Sequence, residues 1–137
     1  MRVVLDPNIL ISNLLSPSGS PARLLVGWAG GEFERIVSPL LLEELQRVLG
    51  YPKLRARVEG ATAAAVIEWL RRSAVVIPDP DEAPVVRSVD PGDDYLIALA
   101  MWGRAVLVSG DDHLLRRSPE GPIRSAAEFL GTLPAGH

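Results

Sequence analysis

Residues 2–10 read RVVLDPNIL, a short apolar run rich in β-branched side chains that ends on a carboxylate. A run that stays apolar, without alternating faces, is the pattern of a strand buried on both sides in a parallel sheet. A helical stretch follows from about Asn8. Asp6 therefore marks the end of a core strand, and a carboxylate is seldom left in such surroundings without a partner. The same event recurs along the chain: LLLEEL at 40–45, DDYLIALA at 93–100 and VLVSGDD at 106–112 each join acids to core-forming segments. Four such sites suggest that folding gathers them, and holding a divalent cation is the obvious purpose.

The rest of the chain alternates strands and helices. A helix is expected from about Pro21 to the paired Gly30 and Gly31, and a second strand over Glu34 to Ser38. Ser38 then has the type of an N-cap with Pro39 at the first helical position, opening a helix to about Leu49 that Gly50 and Pro52 close. Further helices are expected over Ala61–Ser73, Asp93–Gly103 and Ser125–Gly131, with Ser125 and Glu128 at capping-box spacing. A short helix after Asp111 is also expected. Strands are expected over Ala74–Ile77 and Ala105–Val108, with the proline-rich, acidic PDPDEAP loop after the first. This order implies an α/β fold with a central parallel sheet and helices on both faces. Such sheets bind ligands beyond the carboxyl ends of their strands, which is the edge that Asp6 and Asp111 share.

Composition sets bounds. With 137 residues, 47% hydrophobic and 23% charged, residues 1–137 are expected to form one globular domain. Cysteine is absent, so disulfides and thiolate sites are excluded, and His113 and His137 are too few for a histidine-rich metal centre. MRVVLDPNIL is a poor signal peptide, and no apolar run approaches the roughly 20 residues that span a bilayer, so a soluble, cytoplasmic protein without a membrane partner is expected. The net charge of −3 argues against a generally basic surface. Locally the balance differs: Arg47, Lys53, Arg55 and Arg57 form a basic stretch, suited either to solvation or to guiding a polyanion towards the acids.

Helical phase distinguishes two neighbouring glutamates. Leu41, Leu42, Leu45, Val48 and Leu49 form one stripe on the helix after Ser38. At roughly 100° per residue, Glu44 borders that stripe and Glu43 points away from it. Trp28, Trp69 and Trp102 lie in helical stretches and suit a core or a dimer interface better than base stacking.

VVLDPNILIS (3–12), SPLLLEELQRVL (38–49), DPGDDYLIALA (90–100) and VLVSGDDHLL (106–115), in this order and at these separations, resemble the PIN-domain nucleases, and most of all the PIN-type toxins of toxin–antitoxin systems. The resemblance runs from about residue 2 to 131. It implies a three-layer fold and a metal-dependent endoribonuclease in which Asp6, Glu44, Asp94 and Asp111 bind Mg²⁺ or Mn²⁺ and carry the catalysis. It also implies an RNA substrate, a homodimer and a small antitoxin partner. Asn8, Ser109 and Asp93 would support the acids, and Arg47, Lys53, Arg55 and Arg57 would meet RNA phosphates. Two departures stand out: Pro7 replaces a usual threonine or serine and lacks an N–H, and His113 stands where many members have another aspartate.

The acids also have plainer roles. Asn8, Asp93 and Asp111 suit helix caps, which is the commoner role for any one of them alone. A PIN module that binds RNA or protein without cutting is the alternative function. Phosphoryl transfer through an aspartyl-phosphate at Asp6 is disfavoured, because the sole lysine, Lys53, lies outside any expected strand.

Overall fold

A computed structural model describes residues 2–15, 33–81, 94–110, 115 and 123–131. Five strands lie in these residues: β1 (Arg2–Leu5), β2 (Glu34–Val37), β3 (Val75–Val76), β4 (Val106–Val108) and β5 (Ile123–Arg124). The helices are α1 (Pro7–Leu15), α2 (Pro39–Leu49), α3 (Pro52–Arg55), α4 (Gly60–Ser73), α5 (Asp94–Trp102) and α6 (Ala126–Leu130). All strand pairings are parallel, in the order β3-β2-β1-β4-β5. The chain moves outward from β1 through β2 to β3, then returns to place β4 on the other side of β1. With right-handed crossovers, the two directions put their helices on opposite faces of the sheet. The order reverses between β1 and β4, which opens a crevice at their carboxyl ends.

The core follows from the apolar runs. Val3, Val4, Leu5, Ile36, Val37, Leu107 and Val108 are fully buried, as expected of strands covered on both faces. α2 contributes Leu41, Leu42, Leu45 and Leu49, and α4 contributes Ala63, Ile67 and Leu70. α5 is buried through Leu96–Ala100 and packs on β1 and β4. Phe33 meets Phe129 edge to face with ring centroids 5.3 Å apart, which ties α6 to the start of β2.

The caps form as the sequence predicts at two helices. The Ser38 hydroxyl accepts from the Leu41 N–H at 3.3 Å, with Pro39 opening α2. Ser125 and Glu128 make a reciprocal capping box, and Ser125 lies directly after β5. Elsewhere the structure corrects expectation. Pro52 does not merely end α2 but starts the short α3, because proline is well suited to a first helical position. β5 is unforeseen. Trp102 is 72% exposed and so is not a core residue; α5 leaves the layer at its last turn, where Gly103 and Arg104 (φ 52°) turn the chain into β4. Gly103 packs so closely that an added Cβ would lie 3.1 Å from the Leu99 carbonyl and 3.3 Å from Ile77 Cδ1. Trp69 is half-buried against the core. Trp28, the expected Pro21–Gly30 helix and Asp111, at the start of the other expected helix, lie outside the described residues.

Candidate functional site

The site is built from the ends of β1 and β4. Asp6 follows β1 directly and is 3% exposed. Its backbone N–H donates to the Val108 carbonyl at 2.9 Å, which continues the β1–β4 ladder to the crevice. Its carboxylate is held from two sides: the Asn8 backbone N–H donates to Oδ1 at 3.0 Å, and the Ser109 hydroxyl donates to Oδ2 at 2.7 Å. Ser109 is itself fully buried and donates its backbone N–H to the Arg124 carbonyl of β5 at 3.0 Å. The unforeseen fifth strand thus fixes the residue that fixes Asp6.

Asp6 also caps α1. Pro7 is buried at the first helical position, where its missing N–H removes nothing the helix needs, and the next N–H, that of Asn8, finds Oδ1. The cap role expected of Asn8 therefore belongs to Asp6. Asn8 serves through its backbone, and its side chain is exposed.

Asp94 is the first residue of α5 and is 8% exposed. α5 ends at the short turn that enters β4, so it runs antiparallel to the strands and starts at their carboxyl edge. Asp94 and Asp6 consequently share that edge. Asp93, Asp111, Asp112 and His113 lie outside the described residues.

Glu44 takes the predicted phase: it is half-buried on the flank of α2, while Glu43 is exposed. Its carboxylate is engaged by Arg47, whose guanidinium nitrogen lies 2.6 Å away. Arg47 also donates to the Tyr51 hydroxyl at 2.6 Å and lies 5.9 Å from that ring's centroid. The hydrogen bond that Arg47 donates to Glu44, then the Glu44 charge, raise the Arg47 pKa above the ordinary guanidinium value. Arg47 is thus engaged within its own helix, whereas Lys53 and Arg55 stand exposed on α3. Arg57 is exposed and reaches the Leu15 carbonyl at 3.5 Å. Among the described residues, no three Asp, Glu or His side chains gather closely enough to hold a metal.

Two residues escaped sequence reading. Arg35 on β2 is 1% exposed, and burial pushes its pKa down to about 9. Asp79, from the acidic loop after β3, accepts the Leu40 N–H at 3.0 Å and so supplements Ser38 at the start of α2.

Residues 2–113 match the PIN domain. The chain belongs to the PIN-domain family. This PIN domain is 29% identical over 116 residues to the uncharacterized protein MJ1680 of Methanocaldococcus jannaschii, covering 84% of this chain and 74% of that protein. Its fold is shared with a chain of VapBC2 from Rickettsia felis, solved with a promoter DNA fragment (TM-score 0.65, 15% identity, 91% of this chain and 98% of that one). VapBC-1 of nontypeable Haemophilus influenzae (TM-score 0.64, 15% identity, 93% and 99%) and FitAcB of Neisseria gonorrhoeae (TM-score 0.60, 14% identity, 91% and 98%) share it as well. PIN domains are generally nucleases that use divalent metals. No helix among the described residues is long and apolar enough to cross a membrane.

The donor set of this PIN domain suits such a metal. Asp6 and Asp94 offer carboxylate oxygens at one edge, the hard ligands that Mg²⁺ and Mn²⁺ take. Asp6 is further suited because its carboxylate is oriented by two donors before any cation arrives.

Proposed function

We propose that this PIN domain is a metal-dependent endoribonuclease, the toxin of a toxin–antitoxin pair, acting as a homodimer in the cytoplasm. The observation that carries the reading is the Asp6 carboxylate, buried at the β1/β4 crevice and oriented by Ser109 and Asn8. The resemblance to PIN-type toxins and the fold shared with VapBC and FitAcB support it.

In this reading Asp6, Asp94, Asp111 and Glu44 hold Mg²⁺ or Mn²⁺. The bound cation supplies an activated water and neutralises charge on the scissile phosphate. Ser109 keeps Oδ2 of Asp6 fixed by its O–H, and the Asn8 N–H fixes Oδ1, so the carboxylate is held in one orientation. Asp93, which precedes Asp94 in the sequence, supports it. Lys53, Arg55 and Arg57 draw the RNA backbone towards the acidic edge, and Arg47 joins them when it releases Glu44. A small antitoxin silences the enzyme by projecting a cation at the same carboxylates.

The test is cleavage of a pool of cellular RNAs. EDTA should abolish it and Mg²⁺ or Mn²⁺ restore it. Asp6→Asn should remain folded, lose cleavage and lose Mn²⁺ binding measured by electron paramagnetic resonance. Undiminished cutting by folded Asp6→Asn overturns the reading.

One observation favours a second reading, a PIN module that binds RNA or protein without cutting: Glu44 is engaged by Arg47 at 2.6 Å. A metal-replete protein that binds RNA and leaves it intact would decide for that alternative.

A further inference from the structure

Among the described residues two aromatic side chains are exposed, Trp102 at 72% and Tyr51 at 44%. Trp102 closes α5 just before β4 and so lies at the amino edge of the sheet, away from Asp6 and Asp94. Tyr51 is placed differently. It follows Glu44 by seven residues and Arg47 by four, so the three share one flank of α2 as that helix ends. Arg47 links them: one guanidinium nitrogen meets the Glu44 carboxylate and the other meets the Tyr51 hydroxyl, each at 2.6 Å, with the guanidinium carbon 5.9 Å from the ring centroid. Between residues 45 and 58 the chain carries the cations Arg47, Lys53, Arg55 and Arg57 and no acid.

α3 does not account for a tyrosine at this position. Tyr51 is its N-cap, yet the side chain makes no capping hydrogen bond, the service for which serine, asparagine or aspartate is favoured. The backbone nonetheless holds the residue in place. Its N–H donates to the Val48 carbonyl at 3.1 Å, its carbonyl accepts from Leu54 and Arg55 at 3.0 and 2.9 Å, and Pro52 keeps it extended (φ −65°, ψ 141°). The result is an exposed aromatic side chain anchored by backbone and hydroxyl among cations. Proteins bind single-stranded nucleic acid with this combination, cations tracking the phosphates while a ring stacks on an unpaired base. We propose that Tyr51 stacks on a nucleobase, and that an RNA strand runs along the flank of α2 from Glu44 past Arg47 to this ring. Seven helical residues rise about 10 Å at roughly 1.5 Å each. At about 3.4 Å per stacked nucleotide that is roughly three nucleotides, so one strand reaches both the acid and the ring. This role for Tyr51 rests on the RNA-binding part of the proposed function and is independent of cleavage. It adds a contact to the bases where the other contacts are to charge.

The test compares two RNA probes by fluorescence anisotropy on the full chain, in EDTA so that no strand is cut, with circular dichroism to confirm folding. One probe is single-stranded oligoadenylate; the other is an abasic ribose-phosphate strand of the same length. Tyr51→Leu should raise the Kd for oligoadenylate at least about tenfold, since it removes the stacking face. On the abasic strand it should bind as the parent does, and its salt dependence should match the parent's because no phosphate contact is lost. Tyr51→Phe keeps the ring without the hydroxyl and should stay within about threefold of the parent on both probes. A parent that binds no RNA overturns the RNA reading and this contact with it. A parent that binds both strands equally, or a Tyr51→Leu protein that binds oligoadenylate as the parent does or loses both probes alike, overturns the stacking contact alone. Tyr51→Phe as damaging as Tyr51→Leu also overturns it, and reduces Tyr51 to an anchor for Arg47.

Discussion

Ser109 and Asp6, 103 residues apart in the chain, are joined by a 2.7 Å hydrogen bond across the crevice between β1 and β4. The bond exists because the sheet reverses its order there, so the ends of two strands that are distant in sequence become neighbours. A carboxylate oriented in this way has little freedom to lose when it takes up a ligand, which is the benefit of supporting a site from behind.

Removing that support should therefore cost both stability and function. Ser109→Ala deletes a buried hydrogen bond to an acid, worth about 1.5–3 kcal/mol when the acceptor is charged. Urea denaturation should show a loss of that order, and Mn²⁺ affinity should fall by roughly tenfold or more. Unchanged metal affinity in a Ser109→Ala protein would separate Ser109 from the site.

Much of this arrangement was legible in the sequence because it depends on local pattern. The β-branched run before Asp6, the Ser38-Pro39 start and the Ser125–Glu128 box each state their structure within a few residues. What escaped depends on tertiary placement. Ile123–Arg124 is too short to show a period, and becomes a strand only because β4 offers an edge. Arg35 reads as one more charge on a strand, yet the sheet buries it. Asn8 has the composition of a cap, but Pro7 shifts the helix start so that Asp6 takes the role. The acids of α2 were separable by phase, whereas the Arg47 bond to Glu44 was not, since either i,i+3 partner or solvent satisfies the same spacing.

The capping box of α6 predicts an acid dependence. The Ser125 backbone N–H, then its hydroxyl, hold the exposed Glu128 carboxyl below the ordinary glutamate range. A lowered folded pKa means stabilisation that is present above the unfolded value and lost as pH falls through the folded one. A carbon-detected NMR titration should place the Glu128 midpoint below the ordinary glutamate value. Ser125→Ala should move it upward and cost about 1 kcal/mol at neutral pH. A Glu128 midpoint unmoved by Ser125→Ala would contradict the share assigned to the hydroxyl and leave the backbone N–H as the cause.

Neutralising Lys53 and Arg55 to Gln should weaken RNA binding and flatten its salt dependence. Each lost phosphate contact should reduce the slope by about 0.7 on a single strand. Metal affinity should not change, because both residues stand in solvent on α3. Fluorescence anisotropy across a salt series is the measurement, and parallel lines for parent and variant would return these cations to plain surface.

Adjacent glutamates on α2 give the sharpest contrast. Glu44 is half-buried and holds Arg47, while Glu43 is exposed. Glu44→Gln should slow cleavage at least about tenfold, or roughly 1.4 kcal/mol of transition-state stabilisation, and Glu43→Gln should leave the rate near the parent value. The Glu44–Arg47 pair is exposed enough that its loss costs little stability, so both variants should melt close to the parent. Arg47→Gln adds a third arm. It removes the cation that competes for the Glu44 carboxylate, so Mn²⁺ should bind more tightly even as RNA binds more weakly. Initial rates at saturating metal on one RNA, with Mn²⁺ titrations alongside, separate the outcomes. If Glu43→Gln is the damaging change and Glu44→Gln the silent one, the acid that reaches the site lies on the other flank of α2, and the four-carboxylate assignment has to be rebuilt around Glu43.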